Sequence, residues 1–212
     1  EKDAGPAPVT PEALAIAASF KTDLDTFYDL VDGRLVAIHD MLNTIAMANN
    51  KPPLPPPAIA YLCELTEEQG KNGGPDGPQV TKDQLVSAFA KMIPPGDSKE
   101  VFEEKVIQHV RDASTRRQFA NTVMPQLKPK LMALHGKVGG DADKLYAWFL
   151  DLLPPEAKDS FPKEAFMGMI MRTPPNTTVI DAAKFLSGVH NNMDENDSIE
   201  KISGVIDKHM AL

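Results

Sequence analysis

The residues best suited to chemistry are scattered along this chain. Five histidines, His39, His109, His135, His190 and His209, stand too far apart in sequence to form a paired metal motif. Cys63 is the only cysteine and lies in an apolar run, Ala60-Tyr61-Leu62-Cys63, so no intrachain disulfide can form and the thiol reads as buried and inert. No Gly-x-Ser-x-Gly elbow, phosphate loop or dinucleotide fingerprint occurs. The sequence therefore predicts a protein that is not an enzyme and holds no metal.

One segment comes closer to a metal site. Val80-Thr81-Lys82-Asp83-Gln84-Leu85 follows a loop rich in Gly and Asp and resembles a calcium-binding EF-hand. Such a loop needs oxygen ligands at positions 1, 3, 5 and 12 with Gly at 6. With Val80 at the hydrophobic position, the ligand positions fall on Gly73, Pro75, Gly77 and Gln84, none a carboxylate. With Gly77 as the required glycine, Asp76 and Asp83 are kept, but Asn72 and Gly74 fill the other ligand positions and Gln79 the hydrophobic one. Both registers fail, which leaves a pseudo-hand without metal. Asp194-Glu195-Asn196-Asp197 reads as a helix cap rather than a cation site.

The elements around these residues are helices. Thr10-Pro11-Glu12 is a helix start, with a hydroxyl cap followed by Pro in the first turn. Leu24, Phe27, Leu30 and Val31, then Leu35, Ile38, Met41, Leu42 and Ile45, recur at helical spacing, and Asp32-Gly33 marks a break or a bend between them. Residues 49–57 carry Pro52, Pro53, Pro55, Pro56 and Pro57, which make a stiff connector. Further helices are expected near 58–68, 81–93, 98–112, 115–135, 142–153, 162–172, 178–190 and 198–210. Thr81-x-x-Gln84, Asp97-x-x-Glu100 and Asp197-x-x-Glu200 fit the capping box, and Pro94-Pro95, Pro154-Pro155 and Pro174-Pro175 act as stops. No segment alternates as a half-buried strand does. The expectation is an all-α protein of antiparallel helical hairpins joined by Pro-rich turns, with a loose arm at 1–9, a helical domain at 10–153 and C-terminal hairpins at 154–212.

A repeat is also visible. Val80–Val110 and Phe161–Val189 share a helix, a double-proline turn and a second helix, aligning Lys82 with Lys163 and Pro94-Pro95 with Pro174-Pro175. Duplication and two hairpins obeying the same capping rules explain it equally well.

The 212 residues have a globular composition, 42% hydrophobic and 25% charged, with 10 Met and 19 Pro. A net charge of −8 argues against nucleic acid as the main partner. Positive charge is nevertheless concentrated in Arg111, Arg116, Arg117, Lys128, Lys130 and Lys137, opposed within that stretch by Asp112 alone. That stretch is either a solvated helix face or a docking face for an acidic partner or anionic surface. No apolar run approaches the roughly 18 residues of a membrane span.

Three segments, in order, resemble the helical domain of dinoflagellate peridinin–chlorophyll a proteins: Ala37-Ile38-His39-Asp40-Met41-Leu42, Gly74-Pro75-Asp76-Gly77 followed by Val80-Thr81, and Gly139–Leu150. The resemblance covers about residues 10–153 and implies a helical shell around chlorophyll a and a carotenoid in a thylakoid lumen. The chain opens Glu1-Lys2-Asp3 without an initiator Met, in keeping with a cleaved transit sequence. That family's chlorophyll-side histidine has no counterpart in Ala58–Glu68, so His39 is the candidate ligand, with Tyr146, Trp148 and Phe149 as candidate pigment contacts. The implied function is a non-enzymatic, lumenal accessory subunit of a photosystem or antenna, docked through Arg111, Arg116, Arg117, Lys128 and Lys130. The alternative is a helical adaptor, or pseudo-EF-hand-like module, that takes an amphipathic partner helix in a groove.

Overall fold

A computed structural model describes residues 9–66, 68–69, 77–170 and 177–212. Among these residues there is no strand, and the β geometry is confined to two isolated bridges, Arg34–Gln79 and Asp141–Val179. The protein is all-α. No described helix is long and apolar enough to cross a membrane.

The chain forms two compact units, Glu1–Thr115 and Arg116–Leu212. The division thus falls at 115/116 and not after 153. A cut after 153 would split one core, because Leu145 and Trp148 are buried with Phe166, Phe185 and Ile202. A separate core joins Leu24, Phe27, Ile38, Leu42 and Phe89 to Phe102, Ile107 and Val110.

The first unit contains α1 (Pro11–Ser19), α2 (Lys21–Val31), α3 (Leu35–Ala48), α4 (Pro56–Leu62), α5 (Lys82–Lys91) and α6 (Lys99–Phe102). A π-helical turn, Glu103–Ile107, carries α6 into α7 (Gln108–Val138), which crosses the division. The second unit continues with α8 (Ala142–Leu152), α9 (Pro155–Lys158), α10 (Lys163–Ile170), α11 (Ala182–Asn192) and α12 (Ile199–Ala211).

Local chemistry sets most boundaries. The Thr10 hydroxyl accepts from the Ala13 N–H at 3.1 Å, and Thr81 with Gln84 closes a full capping box. Two caps sit one residue later than the sequence pattern suggested: Ser98 and Ser198, rather than Asp97 and Asp197, accept from Val101 and Lys201. The break expected between 112 and 115 is absent: Ser114 and Thr115 lie inside α7, with their hydroxyls turned back onto the carbonyls of Val110 and Arg111. Pro125 and Pro129 also lie within α7, both on its exposed side.

Each unit is built on two helix–loop–helix hairpins whose loops meet in one antiparallel bridge. In the first unit the Leu35 N–H donates to the Pro78 carbonyl at 2.9 Å, and the Val80 N–H to the Gly33 carbonyl at 2.9 Å. In the second, Ala142 donates to Thr178 at 3.3 Å and Ile180 to Gly140 at 2.7 Å. The bridges superpose Gly33, Arg34 and Leu35 on Gly140, Asp141 and Ala142, and Pro78, Gln79 and Val80 on Thr178, Val179 and Ile180.

That register extends through both units. Buried Ala13, Ala17, Phe20, Leu24 and Phe27 correspond to buried Ala120, Met124, Leu127, Leu131 and Leu134. Ile59 and Cys63 correspond to Phe166 and Ile170, then Leu85, Phe102 and Val106 to Phe185, Ile202 and Ile206. The repeat read from sequence is therefore real in kind but mis-registered. Val80 pairs with Ile180 and not with Phe161; the shared Pro-Pro turns misled because one pair ends α5, whereas the other, Pro174-Pro175, precedes α11 and lies outside the described residues.

Gly140 combines a close backbone approach with a left-handed backbone. Its φ is +70°, and a Cβ there would stand 2.5 Å from the Ile180 carbonyl oxygen. Gly140→Ala should lower the stability of the second unit by roughly 1–3 kcal/mol. Denaturant unfolding followed by the fluorescence of Trp148, the only tryptophan, measures it.

Candidate functional site

The pseudo-hand loop lies partly outside the described residues, including Asn72 through Asp76. The positions that are described are used structurally: Gly77 has φ +73°, and Gln84 closes the cap of α5. Among the described residues no group of three His, Cys, Asp or Glu stands close enough to hold a metal ion. What joins the loops is the bridge, braced from below by one side chain in each unit. The Tyr28 hydroxyl donates to the Val80 carbonyl at 2.8 Å, and His135 Nε2 meets the Ile180 carbonyl at 2.7 Å. These residues occupy equivalent positions, so a phenol in one unit and an imidazole in the other perform the same task.

The candidate pigment residues occupy a second such pair. His39 Nε2 stands 3.0 Å from the Leu54 carbonyl oxygen and 3.0 Å from Asn43 Nδ2, while the Leu54 N–H donates to Asn43 Oδ1 at 2.8 Å. At the matching position in the second unit the Tyr146 hydroxyl donates to the Phe161 carbonyl. Both side chains thus fasten the connector after the second hairpin helix back onto that helix. Trp148 is buried, 1% exposed, with its ring edge-on to Phe185 at 5.7 Å. Phe149 stacks at a tilt on Phe161 and Phe166. The structure brings Tyr146, Trp148 and Phe149 together along α8; His39 belongs to the other unit.

The basic stretch is partly committed to its own fold. Arg111 reaches Asp23 at 3.0 Å and Glu103 at 2.9 Å, and these two carboxylates hold its guanidinium charged far above any accessible pH. Arg117 donates to Asn191 Oδ1 at 2.5 Å, Lys130 pairs with Asp207 at 3.1 Å, and Lys137 donates to the His209 and Met210 carbonyls. Arg116 and Lys128 are exposed. Arg111 and Lys130 are thus matched by carboxylates, whereas Lys137 rests on neutral carbonyls and keeps its charge.

Two concave surfaces emerge instead. In the first unit a cleft of about 350 Å³ runs between α1, α4 and the Pro94-Pro95 turn after α5. Ile16, Leu62, Ile93 and Pro95 line it, and Tyr61 stands at its edge, 56% exposed. In the second unit a cavity of about 380 Å³ opens among the ends of α8, α10 and α11 and the start of α12. Trp148, Phe149, Leu152, Met169 and Ile202 form its apolar wall. Asp197 lies on its rim with its carboxyl raised by burial. Sequence periodicity missed both, since each is assembled from three or more helix ends; the one local signal was an aromatic in the last turn of a short helix, Tyr61.

Cys63 is fully buried, and burial pushes its thiol up to about 11. That is the environment of a core side chain, not of a nucleophile. Its counterpart in the second unit is Ile170.

Asp151, near the end of α8, binds Lys208 at 2.8 Å and His209 at 2.8 Å on α12, and Lys158 on α9 at 3.3 Å. Hydrogen bonds from Lys208 and then His209 hold its carboxyl far below the usual range. A depressed carboxylate stabilises the fold only while ionised, so its contribution is complete above the unfolded value near ~4, declines as pH falls below that value, and is lost only as pH falls through the depressed folded value. Asp151→Asn should cost the second unit about 1–2 kcal/mol at pH 7, after allowance for solvent screening, and roughly half of that or less at pH 2–3. Urea midpoints read from Trp148 fluorescence across that range test it.

No known protein family, no curated protein and no solved structure matches this chain.

Proposed function

We propose that the protein is a non-enzymatic adaptor, a tandem of metal-free, EF-hand-like hairpin pairs that takes an apolar segment of a partner protein in the cleft of its first unit. The observation that carries this reading is the cleft itself: an apolar floor of Ile16, Leu62 and Ile93 with a half-exposed tyrosine at its edge. Tyrosine is among the residue types enriched at the hot spots of protein–protein interfaces, and a partner covering the cleft would bury Tyr61. Paired helical hairpins commonly receive an amphipathic helix in such a groove. Glu12 and Asp97 flank the cleft with Lys91, which favours a partner segment carrying at least one basic residue beside its apolar face.

A peptide library displayed against the folded chain tests the proposal. The expected winners are amphipathic helices whose binding Tyr61→Glu and Ile93→Glu each weaken at least about tenfold, as for a hot-spot residue. Glu200→Lys, on α12 of the other unit, should leave them unaffected. Peptides indifferent to both cleft changes would sink the reading.

A second reading is a lumenal accessory subunit of a photosystem or antenna, with chlorophyll a and a carotenoid as its ligands. The observation favouring it is that Trp148 and Phe149, within the helix similar to the peridinin–chlorophyll domain, wall an apolar cavity. Protein purified mildly from its source should then carry extractable pigment in fixed proportion, and a colourless preparation would remove the pigment part of that reading.

A further inference from the structure

The connector between α3 and α4 runs Lys51-Pro52-Pro53-Leu54-Pro55-Pro56-Pro57, its last two prolines lying in the first turn of α4. The second unit shows how much of this composition the fold requires. Leu54 corresponds to Phe161, since His39 and its counterpart Tyr146 reach the carbonyls of these two residues. In the same register Pro55 falls on Pro162, whereas Pro52, Pro53, Pro56 and Pro57 fall on Asp159, Ser160, Lys163 and Glu164. Only Pro55 is thus shared by the two connectors. The other prolines place apolar rings where the second unit carries polar or charged side chains, and all of them are exposed.

The segment is also held in one shape. Proline fixes φ near −65°, and a residue before proline is confined to extended backbone, so the run favours polyproline II. Pro55, with φ −67° and ψ 153°, has that conformation. The Leu54 N–H donates to Asn43 Oδ1 at 2.8 Å, and the Leu54 side chain packs half-buried against the first core. Polyproline II repeats every three residues, so Pro52 and Pro55 share one edge of the ridge and Pro53 and Pro56 another. With Leu54 seated on the core, both proline edges face solvent. Among the described residues none donates to the Pro52 or Pro53 carbonyl.

We propose that residues 51–57 are a docking segment for a partner protein whose domain reads polyproline II in an aromatic-lined groove. Two outward proline edges are what such a groove accepts between its rings. The Pro52 and Pro53 carbonyls receive the groove's indole or phenol donors, and exposed Lys51 pairs with a carboxylate at the groove's end, fixing the direction of binding. Because Asn43 and the core already hold the segment, little conformational freedom is lost on docking. None of these residues lines the cleft beside α1, so the inference does not rest on the partner cleft.

An array of purified WW, SH3 and EVH1 domains is the probe, with the folded chain as analyte. At least one domain should bind saturably. Pro52→Glu and Pro53→Glu should each weaken that binding about tenfold or more, as for a hot-spot contact. Lys51→Glu should weaken it roughly threefold at low salt, and Pro154→Ala, in the second unit, should leave it unchanged. A synthetic peptide of residues 49–59 should bind the same domain less tightly than the folded chain. Circular dichroism checks that each variant is folded; should the glutamates disturb the helices, Pro52→Ala and Pro53→Ala, which remove only the ring, decide in their place. Failure of every domain to bind, binding indifferent to the proline changes or to Lys51→Glu, or binding to the peptide that equals or exceeds binding to the folded chain would each overturn the assignment. The proline run would then only stiffen the connector.

Discussion

Everything in each unit hangs on one short contact between two loops. A pair of backbone hydrogen bonds ties Gly33 and Leu35 to Val80 and Pro78, and its counterpart ties Gly140 and Ala142 to Ile180 and Thr178. Helices packed side by side can slide and rotate at modest cost, whereas a two-bond bridge fixes the relative position of four helix ends at once. In metal-binding hairpins an ion fixes the conformation of each loop. Here a side chain from the preceding helix braces the bridge, Tyr28 in one unit and His135 in the other, each directed at the carbonyl of the residue that follows the bridge position, Val80 or Ile180. The buried Val80 and Ile180 then seat the loops on the cores.

The exchange of residue types between the units shows what is constrained. Tyr28 has His135 as its counterpart, and His39 has Tyr146, which fastens a connector carbonyl as His39 does. Tyr and His share little chemistry beyond a flat ring with a polar tip that can donate a hydrogen bond. At both positions the geometry asks for that and nothing more. Such positions conceal the structural repeat from sequence, because the property preserved is reach and donation, not identity. They also show why a histidine in an apolar helix is a weak sign of a ligand site: His39 is engaged with the backbone and Asn43 of its own unit.

The two concave surfaces arise where the units depart from one another. The first unit opens a cleft beside α1, with Tyr61 at its edge. The second exchanges Met41 for Trp148 and Phe102 for Ile202 beside a cavity.

The sequence by itself determined the helices, since apolar spacing, hydroxyl caps and proline stops act within a few residues and do not need the rest of the chain. The caps at Thr10 and Thr81 and the break at Asp32-Gly33 were legible for this reason, and so was the burial of Cys63. The caps at 98 and 198 were legible to within one residue, as two adjacent capping residues compete and local pattern does not rank them. Only the tertiary structure decided the rest: the division at 115/116, the register of the repeat, the pairing of the loops, and both cavities. Each depends on contacts between residues tens of positions apart. The Leu145–Ile202 core and the Gly140–Ile180 bridge are of this kind, and no local periodicity encodes which distant helix end a given one will meet.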